Sequence, residues 1–223
     1  MSDPSHVLMQ LPPATRLHAA ESVALARALA GQAGDHGLYL GVTGRLAKGL
    51  PRMGCWTHLR MSGHEYAGDV RARVDESLPF ADETFRVVVL SHVLEWTPHA
   101  ADLLEEAIRV LAPEGLLAVT AFHPFSAWTP WLLCRRAPRP MLIAPAWLRQ
   151  RLASQAMLAP SIHRCGAPLP ARHGVSAAAW LGGGFVLIAR KRRAAIMKLQ
   201  PHARRRGAGQ RGAWVHGTHR ECA

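Results

Sequence analysis

Four stretches of this 223-residue chain carry side chains that could do chemistry. Gly41-Val42-Thr43-Gly44 follows a short apolar run and reads as a tight turn. Glycine there lets the backbone approach a ligand closely, as at the switch point of a doubly wound sheet. Asp75-Glu76 stands just before Leu78-Pro79-Phe80; two carboxylates can accept hydrogen bonds from a ligand's amino group, or simply solvate a turn. Ser91-His92 and His123 each follow an apolar run, which would put them at the ends of buried strands. A histidine so placed can act as a general base, and His123 is the best-positioned candidate. The plainer reading of both histidines is packing or capping.

Other chemistries are poorly served. Cys55, His58 and His64 form a C-x2-H-x5-H cluster with no evident fourth ligand, and that spacing fits no standard zinc site, so no metal is expected. There is no G-x-S-x-G elbow and no Walker loop. The four cysteines, Cys55, Cys134, Cys165 and Cys222, contain no CxxC pair and read as reduced thiols. The net charge of +12 is concentrated at one end: residues 190–223 carry ten Lys/Arg against Glu221, while residues 1–189 carry seventeen against fourteen acids. Arg204-Arg205-Arg206-Gly207 could touch nucleic acid or acidic lipid, but a solvated, disordered tail is the simpler expectation. No apolar run approaches the ~18–20 residues of a membrane span. The first residues lack a secretory pattern, so a cytoplasmic protein is expected.

The elements that would position these residues follow from periodicity. Three prolines make residues 1–14 an irregular lead-in. Leu17, Ala20, Ala24, Leu25 and Ala28 share one helical face, ended by Gly31 and Gly34. Gly37–Val42 reads as a buried strand, with weaker strands at Cys55–Met61 and Asp69–Val74. Phe85–Leu90 has the continuous apolar character of a strand covered on both faces. Thr97-Pro98 offers a cap for a helix whose stripe is Leu103, Leu104, Ala107, Ile108 and Leu111, with Glu105 and Arg109 paired at i, i+4. Leu116–Phe122, Ser161–Cys165 and Gly184–Arg190 read as strands, and Pro145–Met157 as a helix. The Pro/Trp-rich segment 123–145 reads as a long loop or lid.

Leu78-Pro79-Phe80, Phe85–Leu90, His92-Val93-Leu94-Glu95-Trp96 and Arg109-Val110-Leu111-Ala112-Pro113-Glu114-Gly115 occur in order over residues 78–115. This register resembles the second half of class I S-adenosylmethionine-dependent methyltransferases, the type 11 group. The resemblance implies a doubly wound, mostly parallel seven-stranded α/β sheet over about residues 15–191, with a basic tail at 192–223. It implies S-adenosylmethionine as cofactor, near Gly41, Thr43, Gly44, Asp75, Glu76, Leu78, Ser91 and His92. Asp75, or second Glu76, would accept from the adenine amine, and Ser91 and His92 would border the methionine part. A small-molecule acceptor would lie under segment 123–145, with His123 as base.

Three positions depart from the pattern. Tyr39, Arg60 and Arg86 stand where the family carries acids. Arginine has donors only and cannot accept from a ribose hydroxyl, so Glu65 or Asp69 would have to replace Arg60. The alternative is a non-catalytic methyltransferase-like binding or regulatory protein with a degenerate cofactor site.

Overall fold

The computed structural model describes residues 3–43, 47–134, 139–155, 157–170 and 181–192. Eight strands form one sheet: β1 (Gly34–Gly41), β2 (Met53–Ser62), β3 (Glu65–Gly68), β4 (Ala72–Arg73), β5 (Phe85–Ser91), β6 (Leu111–Phe122), β7 (Met157–Cys165) and β8 (Gly184–Lys191). Their order is β4-β3-β2-β1-β5-β6-β8-β7. The four central strands, β2, β1, β5 and β6, are parallel. Antiparallel hairpins extend both edges, so only β3 and β8 run against the rest. The class is the expected Rossmann-like α/β fold with a mostly parallel sheet. The count is eight strands rather than seven, because β2 turns straight back at Gly63 into β3 before the chain reaches the short β4.

Val87, Val88, Val89 and Leu90 of β5 are all fully buried, as the unbroken apolar run requires of a strand covered on both faces. One face is covered by helix α3 (Ala100–Val110), with α4 (Trp128–Leu133) and α5 (Pro145–Ser154) contributing Trp128, Leu148 and Leu152 to the same core. On the other face Leu25 and Leu29 lie against Tyr39, Val87 and Val89. These leucines come from the end of α2 (Pro12–Ala28). The connection from β1 to β2 is only eleven residues, 42–52, and shows no helix among its described residues. Parallel strands are usually joined by about a dozen residues or more, including a helix.

Several expectations are corrected. Residues 3–14, expected as part of an irregular lead-in, are largely helical: α1 (Pro4–Met9) is capped by Asp3, and α2 starts at Pro12. Proline at the first helical positions starts these helices because its missing N–H would be unpaired there in any case. Asp69–Val74 yields only the two-residue β4. The helix after Trp96 begins at Ala100, with Thr97 accepting from the His99 N–H at 3.1 Å instead of acting as its N-cap. Segment 123–145 contains α4. Arg109 pairs with Glu106 and Asp82 rather than with Glu105, whose partner is Arg151.

Arg109 explains why LPF and RVL travel together. Its guanidinium donates to the carbonyls of Leu78 (3.0 Å) and Phe80 (2.9 Å), while Glu106 accepts from the Leu78 N–H (2.9 Å). One arginine fork thereby fastens the 78–82 segment to α3. Lys191, at the end of β8, donates to Ile108 and Leu111 carbonyls and closes the C-terminal end of the same helix.

Candidate functional site

In an open α/β sheet the ligand crevice lies beyond the carboxyl ends of the strands, where the order reverses. Here that is the end of β1 beside β5, with Gly41 in register with Ser91. The backbone ladder continues past both strands: Val42 donates to the Ser91 carbonyl (3.3 Å) and His92 to the Thr120 carbonyl (3.0 Å). Gly41, Val42, Ser91 and His92 are all buried. A Cβ on Gly41 would stand 3.0 Å from the Tyr39 ring.

The protein side chains filling this place form a charged cluster. His92 sits between two carboxylates, its Nε2 2.8 Å from Glu21 Oε2 and its Nδ1 2.7 Å from Glu95 Oε2; His92 and both carboxylates have fully buried side chains. Glu95 Oε1 also accepts from the Phe122 N–H at 2.7 Å, tying the cluster to the end of β6. Burial works against a charge on His92, but Glu21 and then Glu95 outweigh it and push its pKa up to about 10. Burial also opposes the charge on Glu21, yet His92 and His18 hold its pKa below the usual carboxylate range. For Glu95, burial raises the pKa against the pull of His92. One proton is shared along the 2.7 Å line between His92 and Glu95. Whichever atom carries it, the cluster keeps a proton at neutral pH and bears one net negative charge.

Each member has a local reason to be there. Glu21 lies midway between Leu17 and Leu25, on the buried stripe of α2. His92 has φ +53, a left-handed conformation rare for a residue with a side chain, and it turns the chain out of β5 toward Glu95. The ring also packs on Phe122 at 4.7 Å. Gly183 and Gly184 give the space: a Cβ on Gly184 would collide with Glu21 Oε1, and one on Gly183 with the Trp128 indole. Tyr39 completes the wall. Burial and then Glu21 push its pKa up to about 12, while its contacts with Ser91 and Thr43 pull the other way.

The expected site residues separate into two groups. Gly41, Thr43, Ser91 and His92 come together around Tyr39 and Glu21, while Gly44 falls outside the described residues. Asp75 and Glu76 point elsewhere: both are more than half exposed and pair with Arg73, which grips Asp75 through two 2.9 Å bonds. They line a separate cavity of about 310 Å³ that also includes Leu78 but none of Gly41, Ser91 or His92. His123 follows β6; its N–H donates to the Gly183 carbonyl and its Nδ1 accepts from Phe125 N–H at 3.2 Å. Burial, with Arg164 second, lowers its pKa, so the ring is neutral at neutral pH, with its one acceptor lone pair, on Nδ1, held by the Phe125 N–H.

Sequence reasoning missed Glu21 and Glu95. The signal for Glu21 was a carboxylate at i+4 from Leu17 and i−4 from Leu25, inside an apolar stripe. Among the described residues no three His, Cys, Asp or Glu side chains are grouped to hold a metal ion. None of their helices is long and apolar enough to cross a membrane.

The family's cofactor is S-adenosylmethionine. Its ribose hydroxyls need an acceptor at the end of β2, and Arg60 stands there. Beside Ser91, His92 is held between Glu21 and Glu95. Arg60 and the buried His92 cluster depart from the family's arrangement for S-adenosylmethionine, while Asp69 lies beside β2, its Oδ2 accepting from the His58 N–H at 2.7 Å.

The fold is that of class I methyltransferases. Residues 52–119 match the family model for the type 11 methyltransferase domain, which bears out the resemblance read from residues 78–115. Uncharacterized protein YafS of Escherichia coli K12 is 45% identical over 49 residues, 22% of this chain and 20% of that one. Phthiotriol/phenolphthiotriol dimycocerosates methyltransferase 1 of Mycobacterium ulcerans is 39% identical over 56 residues, 25% and 21% of the two chains. The matches thus span about a fifth of each curated relative's length. Among solved structures, a SAM-dependent methyltransferase of Thermotoga maritima superposes with a TM-score of 0.57 at 13% identity, covering 83% of this chain and 94% of that one. A methyltransferase complexed with the Haloferax volcanii Trm112 activator gives 0.53 at 14% identity, covering 81% and 92%. The family match begins at residue 52, after β1 and its glycine turn.

Proposed function

We propose that this chain is a methyltransferase-fold binding or regulatory protein whose strand-end crevice is closed to S-adenosylmethionine. One observation carries the reading: Glu21, His92 and Glu95 clamp one another, fully buried, where the methionine part of the cofactor would lie. Opening the crevice would break a buried ion pair, which costs about 3–5 kcal/mol, before any cofactor contact forms. Arg60 in place of an acceptor and the short β1–β2 connection support the same reading. The free thiols of Cys55, Cys134 and Cys165 support a reducing, cytoplasmic setting, and residues 15–191 are taken as the functional unit.

A second reading is favoured by the match over residues 52–119: a SAM-dependent methyltransferase acting on a small-molecule acceptor. In it the turn Gly41, Thr43, Gly44 would approach the cofactor, and Asp75 or Glu76 would leave Arg73 to accept from the adenine amine. Leu78 would pack beside the ring, and Ser91 and His92 would border the methionine part. The cofactor supplies an electrophilic methyl group. The chain would hold the acceptor in line and, through neutral His123 once Nδ1 is released from the Phe125 N–H, take its proton where one must be lost.

Calorimetry of the full chain with millimolar S-adenosylmethionine and S-adenosylhomocysteine separates the two. The first reading expects no saturable heat from either ligand. Saturable binding that Asp75→Ala weakens would reject it in favour of the second.

A further inference from the structure

We propose that the cavity beyond the carboxyl ends of β6 and β7 binds an amphipathic aliphatic carboxylate, its head group paired with Arg164 and its chain lying on Phe125, Leu169 and Leu181. The cavity measures about 500 Å³, within the usual range for small-ligand sites. Its frame is tied down on both sides. The Trp128 indole N–H (2.9 Å) and the Gly183 N–H (3.1 Å) both donate to the Ala167 carbonyl, and the His123 N–H donates to the Gly183 carbonyl at 2.8 Å. Eight large apolar side chains are exposed among the described residues, and three of them, Phe125 (83%), Leu169 (50%) and Leu181 (39%), line this one cavity. Scattered exposed apolar residues are ordinary, but several on one concave wall mark a surface with an occupant.

Arg164 tells what kind of occupant. It is the cavity's one charged side chain among the described residues. Its Nε donates to the Gly182 carbonyl at 3.2 Å and its Nη2 to the Phe125 carbonyl at 3.1 Å, so backbone atoms hold the guanidinium in place. Arg73 and Arg109 are answered by carboxylates, whereas no carboxylate pairs with Arg164 among the described residues. A guanidinium has five N–H donors. The two backbone bonds leave one on Nη2 and both on Nη1, an end-on fork that matches the two oxygens of a carboxylate.

One guanidinium matches one negative charge. The neighbouring His123 is neutral, because burial and then Arg164 lower its pKa, and the Ser126 hydroxyl is turned to the His123 carbonyl at 2.6 Å. A phosphate dianion would leave a charge unanswered there. A monoanion with an aliphatic tail satisfies both the fork and the apolar wall. Arg164 also borders a second cavity, against α2, whose other arginine is Arg27. Phe125 lines only the first, and the Nη2 bond to its carbonyl directs the guanidinium there. The inference does not rest on the closed crevice, since the cavity shares none of Tyr39, Gly41, Ser91 or His92.

The test is calorimetry and melting of the full-length protein with decanoate below its micellar concentration, against decyltrimethylammonium and acetate. One saturable decanoate site is expected, with a melting rise. Decyltrimethylammonium has the wrong charge and should give neither; acetate lacks the chain and should bind far more weakly. Arg164→Gln should weaken decanoate about tenfold, the scale of one hydrogen bond to a charged group. Phe125→Ser, at an exposed position, should keep the wild-type melting temperature and weaken decanoate about fivefold, the scale of a half-buried phenyl ring. Arg27→Gln removes a charge from the other cavity and should leave the affinity unchanged. Should Arg164→Gln melt well below wild type, Arg164→Lys, which keeps the charge but not the fork, replaces it and should weaken binding too. The site is overturned by the absence of saturable decanoate binding, or by wild-type affinity in Phe125→Ser or in the Arg164 variant. An equal loss in Arg27→Gln, or equal binding of the cationic amphiphile, would overturn it as well. Competition by S-adenosylmethionine would assign the cavity to the cofactor and also overturn it; cofactor binding without competition would refute only the closed-crevice reading.

Discussion

Replacing Glu21 by alanine tests the buried cluster most directly. The substitution leaves His92 Nε2 without its acceptor at 2.8 Å, and the imidazolium keeps one carboxylate instead of two. Removing one partner of a buried ion pair destabilises by about 3–5 kcal/mol. For a chain of this size each kcal/mol shifts the melting temperature by about 2–4 °C, so a fall of about 6–20 °C is expected. Glu21→Gln keeps the shape and an acceptor oxygen and should lose about 1–3 kcal/mol.

The cluster also predicts a pH slope. Unfolded, with histidine near ~6.5 and glutamate near ~4.3, these groups hold no proton at about pH 8. Folded, His92 titrates at about 10, so folding takes up one proton between those values. A raised folded pKa contributes stability that is fully present below about pH 6.5. It declines by ~1.4 kcal/mol per pH unit and is lost as pH passes about 10. On the acid side the lowered pKa of Glu21 contributes stability present above ~4.3 and lost as pH falls through its folded value. Urea melts of wild type and Glu21→Ala between about pH 6 and pH 9 read the His92 slope, and melts between about pH 3 and pH 5 read the Glu21 one. A variant with wild-type midpoint and wild-type slope would refute the cluster as a stabilising, proton-holding unit.

Arg109→Lys cannot reproduce the fork that reaches Leu78, Phe80 and Glu106, and should lose about 2–3 kcal/mol in chemical denaturation; an unchanged midpoint would sink this tether. Gly184→Ala drives a methyl group into Glu21 Oε1 and to 3.1 Å from Leu17. Its cost should be about 1–3 kcal/mol by overpacking, and less in a Glu21→Ala background, which a double-mutant cycle would detect. A chain ending at Arg193 should keep the full-length melting temperature, because β8 and the Lys191 contacts to α3 are retained. One ending at Gly183 removes the strand between β6 and β7 and should not fold. A large melting loss in the Arg193 form would show that later residues pack on the domain.

The sequence by itself determined the sheet's centre. The unbroken apolar run of β5 could be stable only between two covered faces, and the stripe of α3 names the side that covers it. LPF and RVL were legible as a pair because one guanidinium joins them. Tertiary structure decided the rest. Asp75 reads as a ligand acceptor in one dimension, but Arg73 lies two residues away across a turn and takes both its oxygens. Glu21 and His92 are separated by 71 positions, and nothing in either neighbourhood specifies the other; only packing α2 on the sheet brings them within a hydrogen bond. The glycines at 183 and 184 then acquire their reason, as the space that Trp128 and Glu21 occupy. Helix and strand follow from periodicities a few residues long, whereas the contents of the crevice depend on which distant side chains the fold presses into it.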